Sequence, residues 1–210
     1  MLFFGTSASA LLLRYLSTGQ TALLSFYAVV STLGVWSHLV TVVVPMGHAV
    51  FLIGTIVLTR KNAIVVRNRA WSGLLALTLA GVTTITALAP VIPDLLSESE
   101  TFSANTSDQP DLFGREGRNG LLGLGGAWSL FGGLTGMILL GTGCVAMVRD
   151  KALRGPLLMT GLPLVVALVL VSGLGTWVYA RFLVFGLTFT ILGIAAGLHL
   201  LWSRSRCVAA

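Results

Sequence analysis

Charge is scarce in this sequence, and the little there is stands at the margins of long apolar runs. Asp, Glu, Lys and Arg make up 10% of its 210 residues, against about 25% in soluble domains. Hydrophobic residues reach 55%, and the mean hydropathy is +0.93. No soluble core of this length needs so much apolar surface, so lipid is the solvent for most of it, and the bilayer is the first expected partner. The strict alternation over about ten residues that marks a membrane β-barrel is missing. The runs are continuous, which leaves the α-helix as the way to satisfy backbone polar groups in hydrocarbon. Two cysteines, Cys144 and Cys207, are too few for a disulfide framework and are expected to be reduced and unpaired.

Catalytic motifs are missing as well. There is no P-loop, no nucleotide-binding glycine fingerprint, no HExxH and no GxSxG. No expected span carries Asp, Glu, Lys or Arg away from its ends. Proton-coupled transport, voltage sensing and intramembrane acid–base chemistry usually place such groups at depth, so no enzyme is expected. The formal net charge of +6 does not point to nucleic acid, because the basic residues sit at span ends instead of forming a patch. Eleven arginines beside two lysines, with an acidic loop, fit a high-GC prokaryote or a halophile.

What is present begins with Thr21 to Thr59, a stretch without one formally charged side chain, closed by Arg60-Lys61. As one helix at about 1.5 Å per residue it would reach about 58 Å, almost twice a hydrocarbon core. It must therefore fold back, and Trp36-Ser37-His38 is the polar, aromatic place to turn. Two helices are predicted, about 21–35 and 39–59. Pro45 removes the amide that would bond the Thr41 carbonyl, and a mid-membrane kink is expected there. The segment 60–69, with four positive charges, is too interrupted to span. Further spans are predicted at about 71–91, 121–148, 156–177 and 182–202.

Between the third and fourth spans, residues 94–119 hold six of the seven acidic residues (Asp94, Glu98, Glu100, Asp108, Asp111, Glu116) and read as a solvated outer loop. Asn105-Thr106-Ser107 matches the glycosylation triplet, which recurs by chance. Residues 1–20 are apolar but short, with Arg14 near their end. An interfacial helix is the favoured reading there, over a short extra span or a cleaved signal. A seventh span would invite comparison with retinal proteins, but these need a Schiff-base lysine in the last helix, and Lys61 and Lys151 fall in expected loops.

Sidedness follows from the basic residues. Arg14, the cluster of four in 60–69, the cluster of three in 149–154, and Arg204 with Arg206 fall on one side of this layout. Only Arg115, Arg118 and Arg181 fall on the other. The expected fold is thus an all-α, multi-pass bundle of six transmembrane helices in the cell membrane, both termini cytoplasmic.

Two sets of residues are candidates for function. Gly125, Ser129 and Gly133, with Gly132 and Gly136, place small residues on two adjoining stripes of the fourth span. Gly186, Thr190, Gly193 and Gly197 form one narrow face of the sixth. Such faces let helix backbones approach closely, and an assembly or accessory component that joins copies of itself or a larger membrane complex is the leading expectation. The alternative is a small-solute or lipid transporter or binder. It would use a pocket opened by the Pro45 kink, with Thr41 and His48, the one ionisable group at membrane depth. A histidine hydrogen-bonded to a neighbouring helix for packing is the plainer role for His48. No cofactor is expected. A haem- or quinone-binding electron-transfer subunit is a further alternative, and a bis-histidine haem would require a register shift, since His48 and His199 differ in depth by about 10 Å and His38 and His48 by about 15 Å.

Overall fold

A computed structural model describes residues 2–59, 63–91, 93–94, 97, 128–174 and 186–208. Among the described residues the chain is helical throughout, with no strand. Helix α1 is Leu2–Thr18 and α2 is Ala22–Ser37. A 3-10 turn, Leu39–Val42, leads into α3, Val43–Leu58. Helix α4 is Ile64–Leu88, α5 is Trp128–Arg149, α6 is Lys151–Leu174 and α7 is Gly186–Val208. Four stretches are long and apolar enough to cross a membrane: Leu39–Leu58, Ile64–Leu88, Lys151–Leu170 and Gly186–Ser203. Residues Ala22–Ser37 and Leu134–Arg149 are apolar but shorter.

The reversal in the uncharged run falls where the sequence places it. Helix α2 stops at Ser37, His38 is extended (φ −161°, ψ 111°), and the His38 amide donates to the Gly34 carbonyl at 3.1 Å. Pro45 is the third residue of α3, within the first turn, where a proline is best tolerated, and the 3-10 turn Leu39–Val42 stands directly before that helix.

Residue pairs fix how the helices run. Gly161 faces Phe189 and Gly186 faces Leu164, so α6 and α7 are antiparallel. Gly47 meets Pro163, and Val43 and Val44 cluster with Ala167, so α3 and α6 are antiparallel. Leu13 meets Gly155, while Gly5 and Thr6 share a cleft with Pro163, so α1 also opposes α6. Arg69, early in α4, donates from Nη1 to the carbonyls of Leu16 and Ser17, both at 2.8 Å. This caps α1 with a cation where its dipole is negative. One end of the bundle therefore gathers Arg14, Arg67, Arg69, Arg149, Lys151 and Arg154. The opposite end holds the α2–α3 turn beside the start of α1, where Phe4 touches Gly34.

Two expectations are corrected here. Residues 2–18 are an inner member of the bundle and not an interfacial appendage. Ala8, Leu12 and Tyr15 belong to the same buried cluster as Tyr27, Leu52, Ala70 and Met159, and Leu12 is 0% exposed. The small residues Gly5, Ala8 and Ser9 make one face of α1 narrow enough to be enclosed. The basic segment is likewise not a separate loop up to residue 69. Helix α4 begins at Ile64 and carries Arg67 and Arg69, because the guanidinium of Arg69 gains carbonyl partners from α1.

Large apolar side chains cover the outside. Leu75, Leu79, Val82 and Ile85 of α4 are each 57–64% exposed. Only 17–33% of the residues in each span window are buried. A bundle that leaves this much leucine, valine and isoleucine on its outer surface suits hydrocarbon better than water.

Candidate binding site

His48 is fully buried, at 0% exposure, on the face of α3 turned toward α1 and α2. Its Nε2 lies 3.0 Å from Ser9 Oγ and its Nδ1 lies 3.1 Å from the Tyr27 hydroxyl. Ser9 Oγ donates to the Gly5 carbonyl at 2.9 Å, so toward His48 it can only accept. That assigns the imidazole proton to Nε2 and leaves Nδ1 to accept from Tyr27. The chain of donors runs Tyr27, His48, Ser9, Gly5, with every member neutral and every proton engaged. It is a joint between three helices.

Pro45, three residues earlier, faces a different space. A cavity of about 220 Å³ lies between α2, α3 and α4, with Ser31, Pro45, Met46, Ala49, Gly81 and Thr84 among its walls. No charged residue lines it. Val42 and Met46 in its wall are 39% and 40% exposed, so the cavity reaches the outer surface of the bundle. Thr84 Oγ1 donates to the Ala80 carbonyl at 2.7 Å and lies 3.4 Å from Thr32 Oγ1. Ser31 is 6% exposed. Its hydroxyl neighbours the Tyr27 phenol one turn back but makes no hydrogen bond of proper geometry.

The three residues expected to share one pocket are thus divided. Pro45 lines the cavity and His48 does not. Thr41 is buried in the 3-10 turn beside Gly34, its Oγ1 without a hydrogen-bond partner. The histidines are also separate. His38 is exposed at the turn. Both nitrogens of His48 are engaged. His199 is exposed on α7, three turns beyond the level at which α7 faces Pro163, about 18 Å further along.

The small residues of α7 are turned inward. A methyl group at Gly193 would collide with Leu140, one at Gly197 with the Leu139 carbonyl, and one at Gly143 with the Gly193 carbonyl, so α5 and α7 touch backbone to backbone. Gly186 packs on Leu164 of α6. Gly136 faces open space. Gly132 and Gly133 lie within α5 as backbone, as does Ser129; their packing, Gly125, the outer loop with Asn105, and the 178–182 turn lie outside the described residues.

Sequence reasoning passed over Ser9, Tyr27, Ser31 and Arg69. Gly5-x3-Ser9 has the same spacing as the stripes noted in α5, and Tyr27 and Ser31 are four apart on one face of an uncharged helix. Those spacings were the available signal. Compared with protein-family models, curated proteins and solved structures, the chain matches none.

Proposed function

We propose that this protein is a non-enzymatic, multi-pass component of the cell membrane that takes a small apolar or lipid-like molecule from the bilayer into the cavity between α2, α3 and α4. The observation that carries this reading is the cavity itself: about 220 Å³, walled by three helices and partly open at the bundle surface. An engineered apolar cavity of about 150 Å³ is enough to hold benzene, so the space suits a substituted ring or a bent segment of hydrocarbon chain.

The architecture we infer around it has seven crossings, α1 included. At 17 residues, α1 extends about 26 Å, close to a thin hydrocarbon core. With the arginine-rich end in the cytoplasm, the start of α1 and the α2–α3 turn face outward. Last-helix chemistry of the retinal kind has no support, since α7 holds no lysine.

Of the small residues that would carry assembly, the leading expectation from sequence, Gly186, Gly193 and Gly197 are covered by this chain's own helices. Gly136 and Gly54 remain open to a partner helix.

Purification in mild detergent followed by mass spectrometry of the organic extract tests the binding reading. A small molecule retained by the native chain and lost from Ala49→Phe, which fills the cavity, is the expected result. Identical extracts from both proteins would end it.

A further inference from the structure

One arginine at the charged end of the bundle lacks the main-chain partners that its neighbours have. Arg69 commits its guanidinium to the carbonyls of Leu16 and Ser17, and Arg154 donates from Nε to the Val148 carbonyl. The exposed Arg14 side chain bonds to none of the described residues. Its place follows from the packing of α1 on α6. Leu13 Cδ2 lies 3.2 Å from where a Cβ on Gly155 would stand, and further in, Ser9 and Gly5 share a cleft with Met159 and Pro163. Antiparallel helices in that register set Arg14 level with Arg154, and Lys151 follows one turn outward. All three are exposed. Carboxylates do not offset them. Of the seven acidic residues six fall in 94–116, after the far end of α4, and the seventh, Asp150, stands between Arg149 and Lys151. Its Oδ1 already accepts the Ala152 amide. Like charges side by side on neighbouring helices repel, and an anion between them removes that cost.

We propose that Arg14 and Arg154 clasp the phosphate of an anionic phospholipid, with Lys151 beside it and the acyl chains running down over Ala10 and Leu158. In the same register Ala10 is level with Leu158, one turn nearer the middle of the bundle, and both are exposed. From there to their other ends α1 and α6 carry no charge, so hydrocarbon chains meet no polar obstacle. Guanidinium forks match paired phosphate oxygens, and basic recesses between transmembrane helices are where acidic headgroups bind. With the one nearby carboxylate already bonded, nothing receives a choline ammonium, so a headgroup of net negative charge is preferred. The inference rests on these helices crossing a bilayer and is independent of the cavity between α2, α3 and α4.

Native mass spectrometry of the full chain in mild detergent tests the proposal, with phosphatidylglycerol and phosphatidylcholine of the same acyl chains as titrants. The first phosphatidylglycerol should bind about five-fold or more tightly than phosphatidylcholine. Arg14→Gln and Arg154→Gln should each weaken it about five-fold, the effect of one cation at a lipid surface, and Arg14→Lys should keep most of the binding. Arg67→Gln removes the same charge from α4, about 200° round that helix from Arg69, and should change binding by less than about two-fold. An equal fall from Arg67→Gln, or no preference for phosphatidylglycerol, overturns the site, since the charge would then act diffusely. Glycerol phosphate, with the anion but no chains, should fail to displace the lipid at equal concentration; displacement would assign the site to free phosphate and overturn the lipid. Arg154→Gln also leaves the Val148 carbonyl without its donor, so Arg14→Gln alone decides should that variant fail to fold. Ala49→Phe should leave lipid binding unchanged; a loss there would put the lipid in the cavity and overturn the site at Arg14.

Discussion

The two halves of the bundle join their helices by different means. In α1 to α4 the joints are side chains. His48 bridges Ser9 and Tyr27, Arg69 holds the end of α1, and the large buried groups Tyr27, Leu12 and Leu52 fill the centre. Between α5 and α7 the joint is backbone: Gly143 and Gly197 bring main chain against main chain. Lipid supplies no hydrophobic drive between helices, so contact must come from fitted polar pairs or from close approach. Side-chain joints hold helices apart, and that is the half that contains the 220 Å³ cavity. Backbone joints leave no such room.

A graded series of substitutions breaks or sharpens this contrast. The largest effect is expected from Gly143→Ala, whose added methyl meets the Gly193 carbonyl and the Gly197 amide nitrogen. Neither can swing away, so a loss of about 3 kcal/mol or more is expected, measured by SDS titration of reconstituted protein. A neutral result would mean that α5 and α7 do not pack as described. Arg69→Ala should rank next. It removes charge-assisted bonds to the terminal carbonyls of α1, for a loss of about 1.5–3 kcal/mol, and hydrogen exchange should quicken from Leu16 to Gln20. Arg69→Lys should recover only part of it.

His48→Leu is expected to cost about 1 kcal/mol, since interhelical hydrogen bonds within membranes average less than that and the Tyr27 hydroxyl is left behind. The double variant with Tyr27→Phe should lose clearly less than the sum of the singles; strict additivity would show that the two side chains act separately. The smallest effect belongs to Gly54→Ala and Gly136→Ala, where an added methyl meets nothing within 4 Å. Stability should stay within about 0.5 kcal/mol of the parent or rise slightly, since alanine restricts the unfolded chain. A large loss at Gly136 would instead reveal a partner helix on that face.

Much of the fold was legible because it depends on hydropathy and charge. The reversal at residues 36–38 followed from a length that no bilayer could accommodate. The gathering of Arg14, Arg69, Arg149 and Arg154 at one end followed from where positive charge can reside. Helix α1 was misjudged because its burial depends on the narrowness of Gly5, Ala8 and Ser9, and no hydropathy measure registers width. The start of α4 was misjudged because an arginine in a basic stretch reads as loop until the carbonyls it will meet are known. At the site, Pro45 does line a cavity while His48 does not. His48 and Ser31 had to wait for tertiary structure. Both are polar groups in uncharged helices, and only the identity of their neighbours separates a satisfied hydroxyl or imidazole from an unsatisfied one.

Helices α5 and α6 are connected by Asp150 alone, whose carboxylate accepts the Ala152 amide at 2.9 Å and so opens the second helix as the first one ends. A joint of one residue cannot be paid out like a tether. It keeps the two arms side by side as a single folded pin, with Arg149, Lys151 and Arg154 as its head. Whatever positions either arm therefore positions both, and a spacer placed after Asp150 would free them to move separately.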